Sequence, residues 1–277
     1  FLMKCNIQDE LQIDLPDSLS GSVDMFNTEW DEETGQAWEL KNFIKLTKDK
    51  KNLWDVGAHI GFFSFAFLIN NNDNATKSTR CFEPSPWNNN IFKEIAKHNK
   101  DDSRYESFKL FNILVGEKED EKNYIVEPEA ETVAILYERD DPFYRVETNT
   151  DVPWEEKPKI KMQSLDRYWI HCQTSNDKIA DVVKIDVEGY EYRVFQGAVN
   201  FLKEIRPLIF LEVHPHLLNM YNNTILNLYD IVTKEAKYNL FNNKMALIRS
   251  KDEYINIFSN KKEVRLICLP QERGETL

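Results

Sequence analysis

The chain has 277 residues and carries 35 Lys+Arg against 47 Asp+Glu, a formal net charge of −12. That length fits one large domain or two modest ones and can build a core without disulfide or metal staples. The acidity argues against a broad nucleic-acid footprint, which needs clustered Lys and Arg, and an aromatic share of 12% argues against wholesale disorder.

Residues 1–36 read as an N-terminal cap of short strands or loops, ahead of a single domain over 37–277. In that domain, short strand-like runs alternate with longer helical ones, the pattern of an α/β fold. Strands are expected at Asn52–Val56, Arg80–Phe82, Lys109–Val115, Asp181–Ile185 and Pro207–Val213, with helices at Ile60–Asn70, Pro86–Asn99 and Tyr190–Glu204. The runs "DVVKI" and "LIFLEV" are apolar on both faces, as in central parallel strands covered by helices. The stretch 117–161 is rich in Glu, Asp and Pro and reads as an inserted hairpin region, with strand-like pieces at Asn123–Val126 and Val133–Tyr137. Further on, an amphipathic helix is expected at Thr224–Ala236. Strands at Met245–Ile248 and Val264–Leu269 then flank a short helix near Asp252–Phe258.

Four cysteines stand far apart, with no zinc spacing, so a reducing, cytoplasmic setting is expected. No apolar run reaches the roughly 20 residues of a membrane helix. The chain opens with Phe1, which reads as a processed product or a domain of a larger polypeptide.

Two of the eight glycines fall in "LWDVGAHIGFFSF", where Asp55, Gly57 and Gly61 follow a strand and open a helix. Small residues there let the chain turn sharply and bring a ligand against backbone N–H groups. A carboxylate at the first position would repel a dinucleotide pyrophosphate. It suits a ligand with an ammonium group, such as the methionine end of S-adenosylmethionine. A ribose-binding acid is expected about 20 residues on, and Glu83 in "CFEPSP" fits. The alternative is that both glycines serve only strand–helix packing and Glu83 caps the helix starting near Pro86.

Four blocks of the chain resemble the FkbM family of S-adenosylmethionine-dependent methyltransferases: "DVGAHIGFFS", "FEPSP", "DVVKIDVEGYEYRVFQGA" and "PLIFLEVHP". His59 stands where that family usually has Asn. Glu39 in "GQAWE" and Asn112 in "LFNILVG" fall where such proteins tend to carry Glu and Asn. The resemblance implies a Rossmann-like, mostly parallel seven-stranded sheet flanked by helices. It also implies an S-adenosylmethionine cofactor and O-methylation of a sugar, glycan or other small-molecule hydroxyl. Residues 1–36, the insertion and the tail beyond Leu269 lie outside it.

Cofactor contacts are expected from Asp55, Gly57, Gly61 and Glu83, with Glu39 and Asn112 added by the resemblance. Asn112 would meet the adenine edge or serve as a strand-end turn residue. Transfer to a hydroxyl needs a nearby base, and ligands of open α/β sheets bind at the carboxyl ends of strands. Asp186, Glu188 and His214 are the catalytic candidates there. For Asp186 the alternative is a pairing with Lys184, and for His214 local hydrogen bonding. Glu191 is expected to face the positive end of a helix dipole. Asp186, Glu188, Glu212 and His214 could converge on a metal, but no spacing demands one and none is expected. The aromatic residues Tyr124, Tyr137, Phe143, Tyr144 and Trp154 would lid an acceptor pocket or pin the insertion to the sheet edge. Two other readings remain open: a cap-type 2′-O nucleic-acid methyltransferase, and a non-catalytic cofactor-binding module of a larger glycan-processing protein.

Overall fold

A computed structural model describes residues 2–8, 11–16, 36–70, 76–123, 125–126, 134–135, 159–274 and 276. Strands β1 (Leu2–Gln8) and β2 (Leu11–Pro16) form an antiparallel hairpin. Ile13 and Leu15 of β2 enter the main core. Asn99 holds the hairpin by accepting the Asp14 N–H (3.1 Å) and donating to the Asp14 carbonyl (2.9 Å). Helix α1 (Gln36–Leu46), which the sequence pattern did not suggest, follows residues outside the described set.

The next elements lie close to their expected bounds: β3 (Asn52–Val56), α2 (Phe62–Ile69), β4 (Ser78–Phe82) and α3 (Pro86–His98). The segment Lys109–Val115 does not form one strand. It divides into β5 (Phe108–Phe111) and β6 (Leu114–Val115), which belong to different sheets. Then come β7 (Asp120–Asn123), β8 (Ile125–Val126), β9 (Ala134–Ile135) and β10 (Lys159–Gln163). β8 pairs antiparallel with β9, and β10 joins β6 and β7 in a small three-stranded sheet. Of the aromatic residues proposed for a lid, Tyr124, Tyr137, Phe143, Tyr144 and Trp154 all lie outside the described residues.

Helix α4 (Leu165–Ser175) was also not anticipated. Its N-cap Ser164 accepts the Arg167 N–H at 3.2 Å, which satisfies one of the amides a helix start leaves open. After β11 (Val182–Ile185), the expected helix over Tyr190–Glu204 is broken into α5 (Glu191–Gln196) and α6 (Val199–Ile205). The break falls at Gly197, where a Cβ would stand 2.0 Å from the Gly116 carbonyl oxygen. Two backbones touch there, and only glycine permits it.

Strand β12 (Leu208–Val213) leads to α7 (Pro215–Met220) and to α8 (Ile225–Asp230), which continues as a π-helical turn over Ile231–Glu235. The strand expected at Met245–Ile248 is displaced. The strand is β13 (Tyr238–Asn242), and the later residues return from a turn, with only a bridge between Phe241 and Leu247. Asn242 sets that turn, its side chain accepting the N–H groups of Lys244 and Ala246. Helix α9 (Lys251–Ile257) and strand β14 (Val264–Pro270) close the fold.

The main sheet has seven strands in the order β13-β14-β12-β11-β3-β4-β5. The neighbours from β5 to β12 are parallel, while β14 is antiparallel to both β12 and β13. This is the mostly parallel, Rossmann-like architecture expected, with one strand reversed. Side chains alternate between two cores. Leu53, Val182, Phe210 and Ile267 face the core of α2 and α3, and Trp54, Val183, Leu211 and Cys268 face that of α4 to α6. Trp54 stacks on Phe201 with ring centroids 4.5 Å apart. By the period of two, Asp55, Lys184, Glu212 and Arg265 share the face of Leu53 and Phe210. The sheet therefore carries a charged row among apolar residues near the carboxyl ends of its central strands.

Candidate active site

The glycine loop leaves β3 in a conformation that few side chains tolerate. Gly57, His59 and Gly61 have φ of 78°, 51° and 91°. The N–H groups of Gly57 and Ala58 both donate to the Phe82 carbonyl, at 2.9 and 3.1 Å, so the loop is tied to the end of β4. A Cβ on Gly57 would stand 1.7 Å from the backbone oxygen of Asp186, and one on Gly61 would stand 2.4 Å from the Phe92 ring. Gly61 thus serves close packing of α2 on α3. Gly57 lets the loop lie directly against the chain leaving β11.

Glu83, at the end of β4, is buried. Its Oε2 accepts the His59 N–H at 2.8 Å, and its Oε1 accepts from Ser85 N–H at 2.8 Å and Asn88 Nδ2 at 3.2 Å. Burial pushes its carboxyl up to about 7, against the pull of those donors. Asn112 donates to the carbonyls of Glu83 (3.2 Å) and Pro84 (2.7 Å), so it braces the same turn from the end of β5. Asp55 is buried as well. Its Oδ2 accepts the Ser64 hydroxyl at 2.6 Å, and its Oδ1 has no hydrogen-bond partner among the described residues. Burial raises the Asp55 carboxyl, while Lys184 and Ser64 oppose the rise.

The fit of these groups to S-adenosylmethionine can be judged from their donors and acceptors. A buried carboxylate oxygen without a partner is costly to leave alone and suits an ammonium group. A carboxylate at the strand end, fixed by three donors, suits a pair of ribose hydroxyls. Asp55 in β3 and Glu83 at the end of the paired strand β4 thus present acceptor groups of the kind such a ligand calls for.

Beside the loop lies a dense charged cluster. Lys184, buried in β11, donates to Asp186 Oδ2 at 3.0 Å and lies over the Phe63 ring at 4.5 Å. Burial would lower the Lys184 ammonium, but Asp186, Glu39, Asp55 and Glu212 outweigh it and hold it above its ordinary value. Burial would likewise raise Asp186, but Lys184 and His214 outweigh it and the carboxyl falls. Glu39, reaching in from α1, accepts Arg265 Nε at 3.1 Å. Arg265 Nη2 also donates to Glu212 Oε1 (2.9 Å) and Glu263 Oε1 (2.8 Å). Burial raises the carboxyls of both Glu39 and Glu212.

His214 follows β12. Its Nδ1 lies 3.0 Å from Glu191 Oε1, and that same oxygen accepts the Gly189 N–H. Its Nε2 faces Glu188 at 3.4 Å, Glu212 at 3.8 Å and Glu263 at 4.0 Å. Burial would lower the imidazole, yet the Glu191 hydrogen bond and the charges of Glu188 and Asp186 carry it up to about 10. Burial lifts Glu188 to about 7 against the pull of His214. Glu188 has φ of 48° and its side chain is 33% exposed, against 21% for Asp186 and 7% for His214.

The structure therefore brings Asp186, Glu188 and His214 together, and it gives Glu191 a partner the sequence did not indicate. Glu39 joins this cluster through Arg265. The sequence reading missed Arg265 altogether, because its partners lie up to 226 positions away. A charged residue inside the apolar run "VRLICL" was the one local sign of it. Among the described residues, no helix is long and apolar enough to cross a membrane.

Methyltransferases of known structure align with the chain in part. An FkbM methyltransferase from Methylobacillus flagellatus KT aligns at TM-score 0.47 and 12% identity, covering 91% of this chain and 60% of that one. An O-methyltransferase from Bacillus cereus, in complex with SAH, aligns at TM-score 0.45 and 7% identity, covering 92% and 91%. The chain thus spans less than two thirds of the Methylobacillus protein. No curated protein matches the chain in sequence. The methyltransferase FkbM domain model matches residues 55–240, from Asp55 of the glycine loop through β12 and α8 to β13. With that match over well more than half its length, the chain belongs to the FkbM family of S-adenosylmethionine-dependent methyltransferases.

Proposed function

We propose that the chain methylates a hydroxyl oxygen of a sugar, a glycan or another small molecule. The observation that carries this reading is the contact between Gly57 and the Asp186 carbonyl, which sets the cofactor loop against the Asp186–Glu188–His214 cluster. When bound, S-adenosylmethionine supplies a methyl group already activated by its sulfonium. Asp55 Oδ1 holds the ammonium group, Glu83 holds the ribose hydroxyls, and Asn112 keeps the turn beneath the nucleoside in place.

What remains for the protein is to position the acceptor and take up its proton. Asp186 and His214 orient the hydroxyl, and Glu188, the most exposed of the three, receives the proton. A small neutral acceptor suits the partly exposed acids Asp186, Glu188 and Glu263, whereas a polyphosphate chain would meet like charge there.

Calorimetry with S-adenosylhomocysteine and a methyl-transfer assay over hydroxylated small molecules test the reading. Glu83→Ala should lose most of the affinity for S-adenosylhomocysteine. Glu188→Gln should keep that affinity and lose turnover by about 10²–10⁴-fold. No binding by the intact chain, or unchanged turnover in Glu188→Gln, would refute it.

A further inference from the structure

We infer that Asp186, Glu212 and His214 form a binding site for a divalent cation such as Mn²⁺ at the acceptor end of the site proposed above. One donor atom from each of these three residues lies within 4.8 Å of the other two. Convergence of acids alone would mean little, since acidic clusters are common. Three further features point to an ion.

Each of the three side chains is held in place by a hydrogen bond with a neighbour. Lys184 Nζ occupies Asp186 Oδ2 at 3.0 Å, Arg265 Nη2 occupies Glu212 Oε1 at 2.9 Å, and Glu191 Oε1 occupies His214 Nδ1 at 3.0 Å. His214 Nε2 faces Glu188 Oε2 at 3.4 Å and Glu212 Oε1 at 3.8 Å, so an ion bound there would meet carboxylate oxygens already turned toward that nitrogen. A carboxylate on the far nitrogen of a histidine is the usual support of a metal-binding imidazole, because it fixes the tautomer and the ring orientation.

Glu212 is 4% exposed, and its Oε2 has no hydrogen-bond partner among the described residues. Such an oxygen is costly to leave unpaired, and a cation would satisfy it. Finally, the cluster is short of positive charge. Among the described residues, the six acids Glu39, Asp186, Glu188, Glu191, Glu212 and Glu263 surround three cationic groups, Lys184, Arg265 and the His214 imidazolium.

Two carboxylate oxygens and one imidazole nitrogen suit Mn²⁺, Fe²⁺ or Zn²⁺, and leave positions open for water or an acceptor hydroxyl. A cation there would polarise a bound hydroxyl and ease loss of its proton to Glu188. This inference rests on the proposed acceptor site for its purpose, although not for its ligands.

Mn²⁺ titration of the intact chain, followed by the loss of the free-ion electron paramagnetic resonance signal, tests it. Calorimetry with S-adenosylhomocysteine is run on the same preparations. Saturable uptake of a single Mn²⁺ below about 1 mM is expected. His214→Gln, Asp186→Asn and Glu212→Gln should each weaken it about tenfold or more, and Glu191→Ala should weaken it more than Glu191→Gln. Glu272→Gln, at the opposite end of β14, should leave it unchanged. Circular dichroism identifies any variant that fails to fold, and the remaining variants then carry the comparison. No uptake of Mn²⁺, Mg²⁺ or Zn²⁺, or uptake that survives the three ligand substitutions, overturns the inference. A chain that binds S-adenosylhomocysteine but no cation refutes the cation site alone. One that binds the cation but not S-adenosylhomocysteine refutes the cofactor assignment alone.

Discussion

The carboxylate of Glu83 accepts the backbone N–H of His59 at 2.8 Å, which fastens the acid at the end of β4 to the apex of the glycine loop 24 residues earlier. The two halves of the proposed cofactor site are thus one hydrogen-bonded unit, and either half is misplaced when the other is disturbed.

That unit should show itself in the pH dependence of stability. Burial lifts Glu83 from its ordinary 4.5 to about 7, helped by the nearby Asp55 charge. Between those values the native state keeps a proton that the unfolded chain has lost. The contribution is therefore fully present below about pH 4.5 and disappears as pH rises through 7. Glu83→Gln does not titrate. Relative to the wild type, it should gain roughly 3 kcal/mol between pH 4.5 and 8. Urea unfolding at several pH values measures the difference, and a flat one would exclude Glu83 as the titrating group.

Gly57→Ala should destabilise the loop and abolish cofactor binding. Its φ of 78° alone costs a residue with a side chain about 1–3 kcal/mol. The new methyl would also collide with the Asp186 carbonyl, a backbone atom that cannot rotate away. Thermal unfolding together with S-adenosylhomocysteine titration checks both effects.

Removing Arg265 should be among the most damaging single changes. Arg265→Met leaves the buried carboxylates of Glu39 and Glu212 without their shared donor, a loss of about 3–5 kcal/mol. Arg265→Lys should recover only part of it, because an ammonium cannot span three carboxylates as the planar fork does. Denaturant midpoints of the two variants give the comparison.

Asp177 offers a test remote from the active site. It accepts from Arg80 Nε (2.9 Å), Lys109 Nζ (2.9 Å) and the Tyr168 hydroxyl (3.1 Å). Burial would raise its carboxyl, but Arg80 and Lys109 outweigh that and hold it far below the ordinary 3.8. For an acid depressed on folding, the stabilisation is present above the unfolded value and is lost as pH falls through the folded one. Asp177→Asn should therefore cost about 3–5 kcal/mol at pH 7, since it strands the buried Arg80. The cost should shrink progressively below about pH 4. Unfolding curves at pH 7 and pH 3 decide it.

The parts of this site that could be read from the chain were those whose logic is local. A strand, two glycines and a helix start specify the loop, and an acid at the next strand's end completes it, so Asp55, Gly57, Gly61 and Glu83 stood out. Asp186 and His214 were legible as residues just beyond buried strands. The pairing of Glu191 with His214 was not legible, because the acid's position at a helix start already had a sufficient local explanation. Arg265 was hidden for a different reason. It reaches the cluster through the register of an antiparallel strand, in which Arg265 stands opposite Glu212, and no local pattern encodes that register. β13 was misplaced because Leu247 and Ile248 look strand-like while the turn at Asn242 decides which side pairs.

The reversed direction of β14 bears on how the chain can be trimmed. Because this strand runs against its neighbours, its first residues arrive where theirs end, and Arg265 comes from beyond the family-matched stretch 55–240. Glu39 comes from before it. A fragment cut to the matched residues would retain the glycine loop and, around His214, Asp186, Glu188, Glu191 and Glu212, but not Glu263. It would lose the guanidinium that keeps Glu212 tolerable in the interior. The smallest useful piece of this protein is therefore set by charge balance across the sheet, and it must begin before α1 and run through β14.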